Sequence, residues 1–364
     1  MFDLYSGNTP SRLNKEHFKG TVNWISSGEL KEHYIYSSKE QISEEAAKSL
    51  KLLPVGTFVI AIYGLEADGV RGTGSITQEP STISQACMSF IPKGVIENEF
   101  LYSWYKKHGN VIGIRYAQGT KQQNLSYDIL EKFRIAYPNT KEQEELNKFI
   151  SLLDERIATQ NKIIEDLKKL KCAIIEKLYA EVKGTKYSYR QLFNIINERN
   201  KQLEYSNVLS ASQEKGMVSR DDLNLDIQFE RSNINTYKIV KNGDYVIHLR
   251  SFQGGFAFSE KTGVCSPAYT ILRPNGLLVY GYLSYYFTSR EFIQSLIIVT
   301  YGIRDGRSIN VDEWLDMKVV IPSKEQQSHI VNVIKSIENK IKNEETYSNC
   351  LLKQKQYLLR QMFI

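Results

Sequence analysis

The sequence predicts an α+β protein in which two mixed, mainly β globular domains alternate with two long helices as an internal repeat. A long segment with regularly spaced apolar residues occurs twice, over Lys141–Tyr179 and over Glu325–Phe363. The stretches ahead of the two copies share a strand-and-turn framework, although most of their residues differ. A sequence repeat at a fixed separation indicates a repeated architecture, so the repeat is interpreted before individual helices and strands are predicted. We therefore place the domain boundaries at 1–138, 139–183, 184–322 and 323–364.

The two long segments match residue by residue without a gap and are predicted as helices. Each begins just after a proline and carries acidic residues in its first turns, as a helix N-terminus prefers. Two copies in one chain favour pairing within the chain over a dimerisation coil. The matched pairs include Pro138 with Pro322, Gln143 with Gln327, Asp154 with Glu338, and Lys171 with Lys355.

Apolar residues at seven-residue spacing predict a coiled-coil seam on each helix. Polar residues interrupt the two seams at matching places, Gln160 with Glu344 and Lys171 with Lys355. Such residues reduce stability but can fix register and partner number. The predicted seam residues are Ile150, Leu153, Ile157, Ile164, Leu167, Ile174 and Leu178 in the first helix, and Ile334, Ile337, Ile341, Leu351, Leu358 and Met362 in the second.

The first globular segment shows short strands separated by glycine-rich turns, the pattern of a mixed β domain. Residues 184–322 repeat this plan with weaker identity, and Gly243–Ile247 matches Gly56–Ile60. The predicted elements of the first segment are strands at Val22–Ile25, Thr57–Tyr63, Met88–Ile91 and 133–138, and helices at Glu44–Leu50 and Asn98–Lys107.

Composition and charge narrow the class of protein. The four cysteines are scattered, which argues against a disulfide framework and a zinc site. The sequence has neither a basic-then-apolar leader nor a membrane-length apolar run, so we expect a cytoplasmic protein without a membrane contact. The net charge of +6 is divided as +1, 0, +2 and +3 over the four segments, so none has a strong basic excess. A DNA ligand would then require clustered basic residues or a partner that supplies phosphate contacts.

No catalytic motif is assembled in the sequence, so we predict no enzyme activity, no cofactor and no metal ion. A phosphate-binding P-loop is absent, and the Gly72–Gly74 pair opens no glycine-bearing helix. No Pro-Pro occurs, which argues against the flipped-base pocket of an adenine-N6 methyltransferase. Acidic pairs such as Glu66 with Asp68 and Asp221 with Asp222 lack the downstream lysine of a metal-dependent nuclease. We interpret them as solvated loops.

Several blocks of sequence, taken in order, carry a family resemblance. They are Ser6–Ser11 (SGNTPS), Val22–Leu30 (VNWISSGEL), Gln118–Ser126 (QGTKQQNLS), and the proline and long-helix block Pro138–Leu178, which recurs at Pro322–Met362. Each block is weak alone, whereas their order, spacing and duplication are specific. Together they make the whole chain resemble the specificity subunit of Type I restriction–modification systems.

The resemblance implies two target-recognition domains, each of which reads one half of a split, asymmetric DNA site. It implies that the two helices pack antiparallel as a spacer of roughly 58 Å. At about 3.4 Å per base pair, such a spacer suits a site of ~12–16 base pairs with an unread middle. The implied partners are double-stranded DNA, two adenine-N6 methyltransferase subunits, and restriction subunits that translocate and cut DNA.

Bases and phosphates are contacted by donor-rich side chains, and two loops at related places, 115–124 and 301–310, concentrate them. The loops share a composition but not a sequence, as expected if each reads a different half-site. The predicted DNA-contacting residues are Ser26, Ser27, Arg71, Arg115, Gln118, Lys121, Gln122, Gln123 and Asn124 in the first domain, and Ser210, Ser212, Arg250, Gln253, Arg304, Arg307, Ser308 and Asn310 in the second.

One feature departs from the family pattern. Alignment of Phe2 with Phe193 leaves nothing in the first half to match Tyr187–Leu192. We expect either that the start site is internal or that the C-terminal segment completes the first domain.

Two alternative functions stay open. A specificity subunit of a related combined restriction–methylation enzyme would differ only in its partners. A coiled-coil adaptor would use its globular domains to bind protein. The divergent, donor-rich loops on a shared frame favour a DNA reader over the adaptor.

Overall fold

The computed structural model describes residues 1–67, 69–212, 215–220, 231–248, 255–301 and 308–363. The chain forms two compact units. Unit 1 comprises Met1–Asn161 with Tyr347–Ile364, and unit 2 comprises Lys162–Thr346. The division falls inside both long helices, so each unit contains the first part of one long helix and the last part of the other.

Unit 1 combines short strands with helices that pack against them. Its helices are α1 (Glu44–Lys48), α2 (Asn98–Tyr116), α3 (Tyr127–Glu131) and the first part of α4 (Thr140–Ala180). Its strands are β1 (Phe2–Ser6), β2 (Val22–Ile25), β3 (Tyr34–Ile35), β4 (Gln41–Ile42), β5 (Phe58–Ala61), β6 (Gly74–Thr77), β7 (Ser81–Ile83) and β8 (Cys87–Pro92). They form sheets with the orders β1-β8-β5-β6-β3 and β4-β2-β7.

Unit 2 follows the same plan. Its helices are α5 (Tyr189–Leu192), α6 (Tyr282–Tyr286), α7 (Arg290–Ser295), α8 (Val311–Asp316) and the first part of α9 (Lys324–Met362). Its strands are β9 (Thr185–Ser188), β10 (Phe193–Ile196), β11 (Leu209–Ser212), β12 (Gly216–Ser219), β13 (Lys238–Val240), β14 (Tyr245–Ile247), β15 (Phe256–Phe258), β16 (Gly263–Cys265), β17 (Thr270–Pro274), β18 (Thr300–Tyr301), β19 (Ser308–Ile309) and β20 (Lys318–Ile321).

The two units share one sheet framework in matching register. The order β1-β8-β5-β6 in unit 1 recurs as β10-β17-β14-β15 in unit 2. Phe2 lies opposite Pro92 just as Phe193 lies opposite Pro274. The weaker repeat of the globular segments is therefore confirmed at the level of strand order and pairing.

Helix α2 is longer than predicted. It continues past Lys107 to Tyr116 and includes Gly109 and Gly113. A Cβ on Gly109 would lie 2.8 Å from the Tyr105 ring, so this glycine permits close packing and does not end the helix. The prediction that residue 115 belongs to a loop is wrong, because Arg115 lies in the last turn of α2.

The strand predicted over 133–138 is absent. These residues pair with no strand in the described part of the chain. The matching β20 of unit 2 is a strand because β9 pairs with it, with Val319 opposite Tyr187. A strand needs a partner for its backbone N–H and C=O groups, and unit 1 has no described equivalent of β9.

The two long helices run antiparallel within each unit. In unit 1, Lys355 forms an ion pair with Asp154, and Ser348 donates a hydrogen bond to Asn161 at 2.9 Å. As residue numbers rise along α4, those of its contacts in α9 fall. Unit 2 shows the same direction, with Lys168 to Glu345 at 2.7 Å and Lys171 to Glu338 at 3.1 Å.

The lysine interruptions of the predicted seam form ion pairs between the helices. Lys171 and Lys355 occupy matching positions of the two copies, and so do their partners Glu338 and Asp154. The repeat has therefore duplicated one cross-helix contact, once in each unit. Because each lysine meets a carboxylate only at one register, the pairs favour that alignment over a shifted one.

The predicted seam residues face inward. Six are buried and the others are half-buried, as expected for packed helices. The buried ones are Ile150, Ile157, Ile164, Ile334, Ile341 and Leu351, and the half-buried ones are Leu153, Leu167, Ile174, Leu178, Ile337, Leu358 and Met362.

The C-terminal ends of both helices also enter the globular cores. Ile175 and Tyr179 of α4 pack in the core of unit 2, and Phe363, just after α9, packs in the core of unit 1. Phe363 and Tyr179 occupy matching positions of the repeat. Each follows a predicted seam residue by one position, so a second apolar column beside the seam was the signal for this contact.

A buried glutamine anchors the start of α4 to unit 1. The Gln143 side chain is 0% exposed. Its Nε2 donates to the carbonyl oxygens of Val95 at 2.8 Å and Pro138 at 3.0 Å, and its Oε1 accepts from the Glu97 backbone N–H at 3.0 Å. One side chain thus satisfies three backbone groups that would otherwise lack partners.

Gln327 repeats this arrangement at the start of α9. Its Nε2 donates to the carbonyl oxygens of Leu277 and Pro322, both at 3.0 Å, and its Oε1 accepts from the Val279 N–H at 2.8 Å. Gln143 and Gln327, which match in the sequence repeat, therefore have the same structural role.

We predict that Gln327→Leu lowers the free energy of unfolding by about 2–4 kcal/mol, because it leaves buried backbone groups without partners. The neighbouring Gln326 side chain is exposed, so Gln326→Leu serves as the control and should change stability by less than about 0.5 kcal/mol. Urea denaturation followed by circular dichroism measures both. Equal effects of the two substitutions would contradict the anchoring role.

Candidate nucleic-acid interface

The first predicted loop follows α2 in unit 1 and is closed by its own backbone. Gln118 and Asn124 exchange two backbone hydrogen bonds, both of 2.9 Å. Gly119 has a φ of +108°, and a Cβ there would lie 2.0 Å from the Gln122 carbonyl oxygen. The turn therefore requires glycine. Leu125, which is 1% exposed, holds the end of the loop in the core.

Gln123 ties this loop to the neighbouring glycine-rich turn. Its backbone N–H donates to Glu66 Oε2 at 2.8 Å, and its carbonyl accepts from the Leu65 N–H at 3.1 Å. Its side-chain Oε1 accepts from Arg71 Nη2 at 2.8 Å. The hydrogen bond from the Gln123 N–H lowers the pKa of the Glu66 carboxyl, and the charge of Arg71 adds to the effect.

These contacts divide the predicted residues of the first loop into two groups. Gln118, Lys121 and Gln122 are exposed, and so is Arg115 at the end of α2. Gln123 and Asn124 are half-buried, and Arg71 reaches the loop through Gln123. The exposed group is free to meet a ligand, whereas Arg71 and Gln123 position the loop. Which of them contact DNA stays a prediction.

Ser26 and Ser27 lie at the start of a short 3-10 helix, Ser27–Glu29. The Ser26 N–H and hydroxyl both donate to Glu29 Oε2, at 2.9 and 2.6 Å. Ser26 therefore has a local capping role, and Ser27 is half-buried beside it.

In unit 2, Ser210 and Ser212 lie on β11, where they are half-buried. This strand pairs with β12, with Ser210 opposite Val218. Ser212 Oγ accepts a hydrogen bond from the Lys215 N–H at 3.3 Å. The two serines are thus on one hairpin.

The second predicted loop is described only at its ends. Tyr301 of β18 lies opposite Ser308 of β19. Asn310 caps α8, because its Oδ1 accepts from the Glu313 N–H at 3.3 Å. The predicted residues Arg250, Gln253, Arg304 and Arg307, and the acidic residues Asp68, Asp221 and Asp222, lie outside the described residues.

The two loops occupy the same place in their units. Leu125 and Ile309 match in the repeat and are 1% and 4% exposed. Each is followed by a cap residue and a short helix, Ser126 before α3 and Asn310 before α8. A common buried position and a common short helix therefore flank different loops on one framework.

Glu66 and Leu65 position the first loop and were not among the predicted site residues. The sequence carries no signal for them, because their partner Gln123 lies far along the chain. Glu66 is exposed, as expected of a solvated loop, but its carboxylate also accepts the Gln123 N–H.

Among the described residues, no helix is long and apolar enough to cross a membrane. No group of three or more His, Cys, Asp or Glu residues is placed to hold a metal ion in those ranges. Cys87, Cys172, Cys265 and Cys350 are all free thiols.

Known proteins resemble this chain in sequence over about half its length. Residues 1–169 match the family described as "Type I restriction modification DNA specificity domain". The MjaIX specificity subunit of Methanocaldococcus jannaschii is 28% identical over 185 residues, covering 49% of this chain and 42% of that protein. The EcoR124I/EcoR124II specificity subunit of Escherichia coli is 29% identical over 198 residues, covering 53% and 48%. The matches thus span less than half the length of either relative.

Solved structures resemble the chain over nearly its whole length. The S subunit of a Type I restriction–modification system from M. genitalium has a TM-score of 0.51 at 14% identity, covering 100% of this chain and 94% of that one. A chain from a study of complex assembly and conformational transition of the Type I system has a TM-score of 0.63 at 13% identity, covering 99% and 97%. At these identities the likeness concerns the fold.

The two sheet-based units and their antiparallel helices thus have the fold of Type I S subunits. Residues 1–169 match the Type I restriction modification DNA specificity domain. The resemblance indicated by the sequence blocks is therefore confirmed, and the chain is similar over about half its length to specificity subunits of Type I restriction enzymes.

We predict that the amide resonance of Gln123 reports the ionisation of Glu66. Because the folded-state pKa of Glu66 is lowered, the anchor is complete above the ordinary glutamate pKa of about 4.3. It is lost as pH falls through the lowered value. A pH titration by nitrogen–proton correlation NMR should give a midpoint below about 4.3.

Glu66→Gln should abolish this titration of the Gln123 resonance. Glu79→Gln, on an exposed residue, should leave it unchanged. A Gln123 resonance that still titrates in Glu66→Gln would show that another group anchors the loop.

Proposed function

We propose that this chain is the sequence-reading, non-catalytic subunit of a Type I restriction–modification enzyme. Each globular part would read one half of a split, asymmetric DNA site. The observation that carries the proposal is the presence of two different loops at one place on a shared framework. If the units bound the same sequence, or bound protein through the common framework, the two loops would be expected to have similar sequences.

The division of labour follows the internal repeat. We assign reading to residues 1–138 and 184–322, and spacing to 139–183 and 323–364. Helices α4 and α9 contain 41 and 39 residues, and the duplicated ion pairs hold them in one register. The length of the helix pair would then set the number of unread base pairs between the half-sites.

The long helices carry features suited to partner subunits. Large apolar side chains on them remain exposed, including Phe149 at 42%, Leu152 at 54%, Leu170 at 49% and Tyr357 at 62%. Exposed apolar side chains of this size can supply contacts for a protein partner. They support the docking of two adenine-N6 methyltransferase subunits on the helices, through which the restriction subunits would join. Methylation and cleavage would belong to these partners, and action on chromosomal DNA would place the complex in the cytoplasm.

The modest net charge of +6 indicates how the complex would hold DNA. Non-specific affinity grows with the number of phosphates that basic groups neutralise. A chain with nearly balanced charge supplies few such contacts, so the bound methyltransferases would supply much of the affinity and this chain much of the specificity.

The proposal is tested by selecting duplexes from a random library with the chain bound to its proposed methyltransferase partner. The selected sequences should contain two short fixed blocks separated by a constant number of unread base pairs. Four residues are then inserted both between Asn161 and Lys162 and between Thr346 and Tyr347. Each helix lengthens by ~6 Å, so the unread stretch should grow by about two base pairs while both blocks stay the same.

The matched control inserts the same four residues after Gly276, an exposed position outside the long helices, and should keep the original spacing. A change in either block after the helix insertion would contradict the spacer role. Selection of no common sequence by the unmodified complex would contradict the reading role and favour a protein-binding adaptor.

A further inference from the structure

The second half of α2 in unit 1 presents three different side chains on one outer face. Lys106, Asn110 and Ile114 follow one another at four-residue spacing, which places them on the same side of a helix. All three are exposed, and Ile114 is 62% exposed although it is apolar. The face therefore combines a cation, an amide and a branched apolar group, and it ends where the first loop begins.

The opposite side of α2 is held by close packing. Ile112 is 5% exposed, and a Cβ on Gly113 would lie 2.6 Å from Arg71 Cγ. Arg71 in turn donates a hydrogen bond to Gln123 of the first loop at 2.8 Å. A rotation of the helix that buried Ile114 would break these contacts. The exposed face is therefore fixed beside the loop that we assign to DNA reading.

Unit 2 repeats the face with the same chemistry. Arg290 and Gln294 lie on α7, and Ile298 lies on the 3-10 turn Leu296–Val299 that follows it. Ser295 has helical backbone angles, with φ −61° and ψ −27°, so the turn continues the helix. All three side chains are exposed, and Ile298 is 78% exposed.

The two faces match at the separation along the chain that also relates the two long helices. The same separation matches Ile112 with Leu296, which is 1% exposed, so the alignment agrees with the packing. Core filling explains an apolar residue at that buried position. It does not explain the exposed positions, and the side-chain amides of Asn110 and Gln294 form no hydrogen bond with another described residue.

A cation, an amide and an apolar group together can read A·T base pairs in the major groove. Asn and Gln side chains pair with adenine N6 and N7, an apolar side chain packs on the thymine 5-methyl group, and a basic group meets a phosphate. The groove is wide enough to admit a helix. A protein partner suits this face less well, because charged residues are depleted from the cores of protein interfaces.

We propose that these two faces read A·T base pairs, one in each half-site. The amide of Asn110 or Gln294 pairs with an adenine, and Ile114 or Ile298 packs on the methyl group of a thymine. The inference rests on the proposed DNA-reading function and adds to it the bases that are read and the residues that read them. It assigns specificity to apolar side chains that a search for hydrogen-bond donors does not select.

The test uses the chain bound to its proposed methyltransferase partner and duplexes that carry the selected site. Each thymine is replaced in turn by deoxyuridine, which lacks only the 5-methyl group. The unmodified complex should bind about fourfold more weakly at one thymine of each block, the effect of one methyl group left in water. Ile114→Ala should abolish this difference in one block, and Ile298→Ala should abolish it in the other. Both side chains are exposed, so both variants should fold.

Replacement of adenine by 7-deaza-adenine tests the amides, because it removes the N7 acceptor. It should weaken binding of the unmodified complex and cause no further loss at one adenine in Asn110→Ala or Gln294→Ala. Leu52→Ala is the control variant. Leu52 is 54% exposed in unit 1 and lies outside α2 and its loop, so this variant should keep every difference that the unmodified complex shows.

Equal affinity of the unmodified complex for thymine and deoxyuridine at every position would overturn the inference and leave the reading role intact. A difference that survives both isoleucine substitutions would do the same. Loss of the methyltransferase subunit from the Ile114→Ala complex would assign the face to a protein partner and also overturn it. Failure of the unmodified complex to select any common sequence would instead contradict the proposed function itself, so the two failures are distinguishable.

Discussion

The structure depends on the antiparallel pairing of α4 and α9. Because the helices run in opposite directions, each unit is completed by the first part of one and the last part of the other. The same ion pair, Lys355 with Asp154 and Lys171 with Glu338, holds the register in each unit. Tyr179 and Phe363 carry the helix ends into the two cores. A shift of register would therefore disturb the seam and both cores together.

Around the paired helices α4 and α9, the framework is the same in both units, whereas the loops differ. The buried glutamines and the sheet order recur in both units, because each satisfies backbone groups or fills a core. The loop side chains make few such buried contacts, since Gln118, Lys121 and Gln122 are exposed. A framework of this kind allows the loops to diverge without loss of stability.

Much of the framework could be predicted from the sequence, and the reasons are physical. Helical periodicity and gap-free matching located α4, α9 and their seam, and short apolar runs between glycine-rich turns located β2, β5 and β8. The extent of α2 was underestimated, because Gly109 serves close packing and does not end the helix. Residues 133–138 form no strand because a strand needs a pairing partner. The local sequence does not show whether such a partner is present.

The candidate site was less predictable than the fold. Residue type selected Gln123 and Arg71 as DNA contacts, yet both are engaged in holding two loops together. That role arises from residues distant in sequence, so composition alone could not reveal it. The remaining predicted DNA-contacting residues differ in how far their side chains are exposed to solvent. Arg250, Gln253, Arg304 and Arg307 lie outside the described residues.

The central claim is that this chain selects the DNA sequence on which partner subunits act. Its most direct test is genome-wide mapping of N6-methyladenine in cells with and without the chain, with the proposed methyltransferase partner present in both. The account predicts a split, asymmetric methylated motif that disappears when the chain is removed. Methylation that is unchanged without the chain would contradict a role in sequence selection.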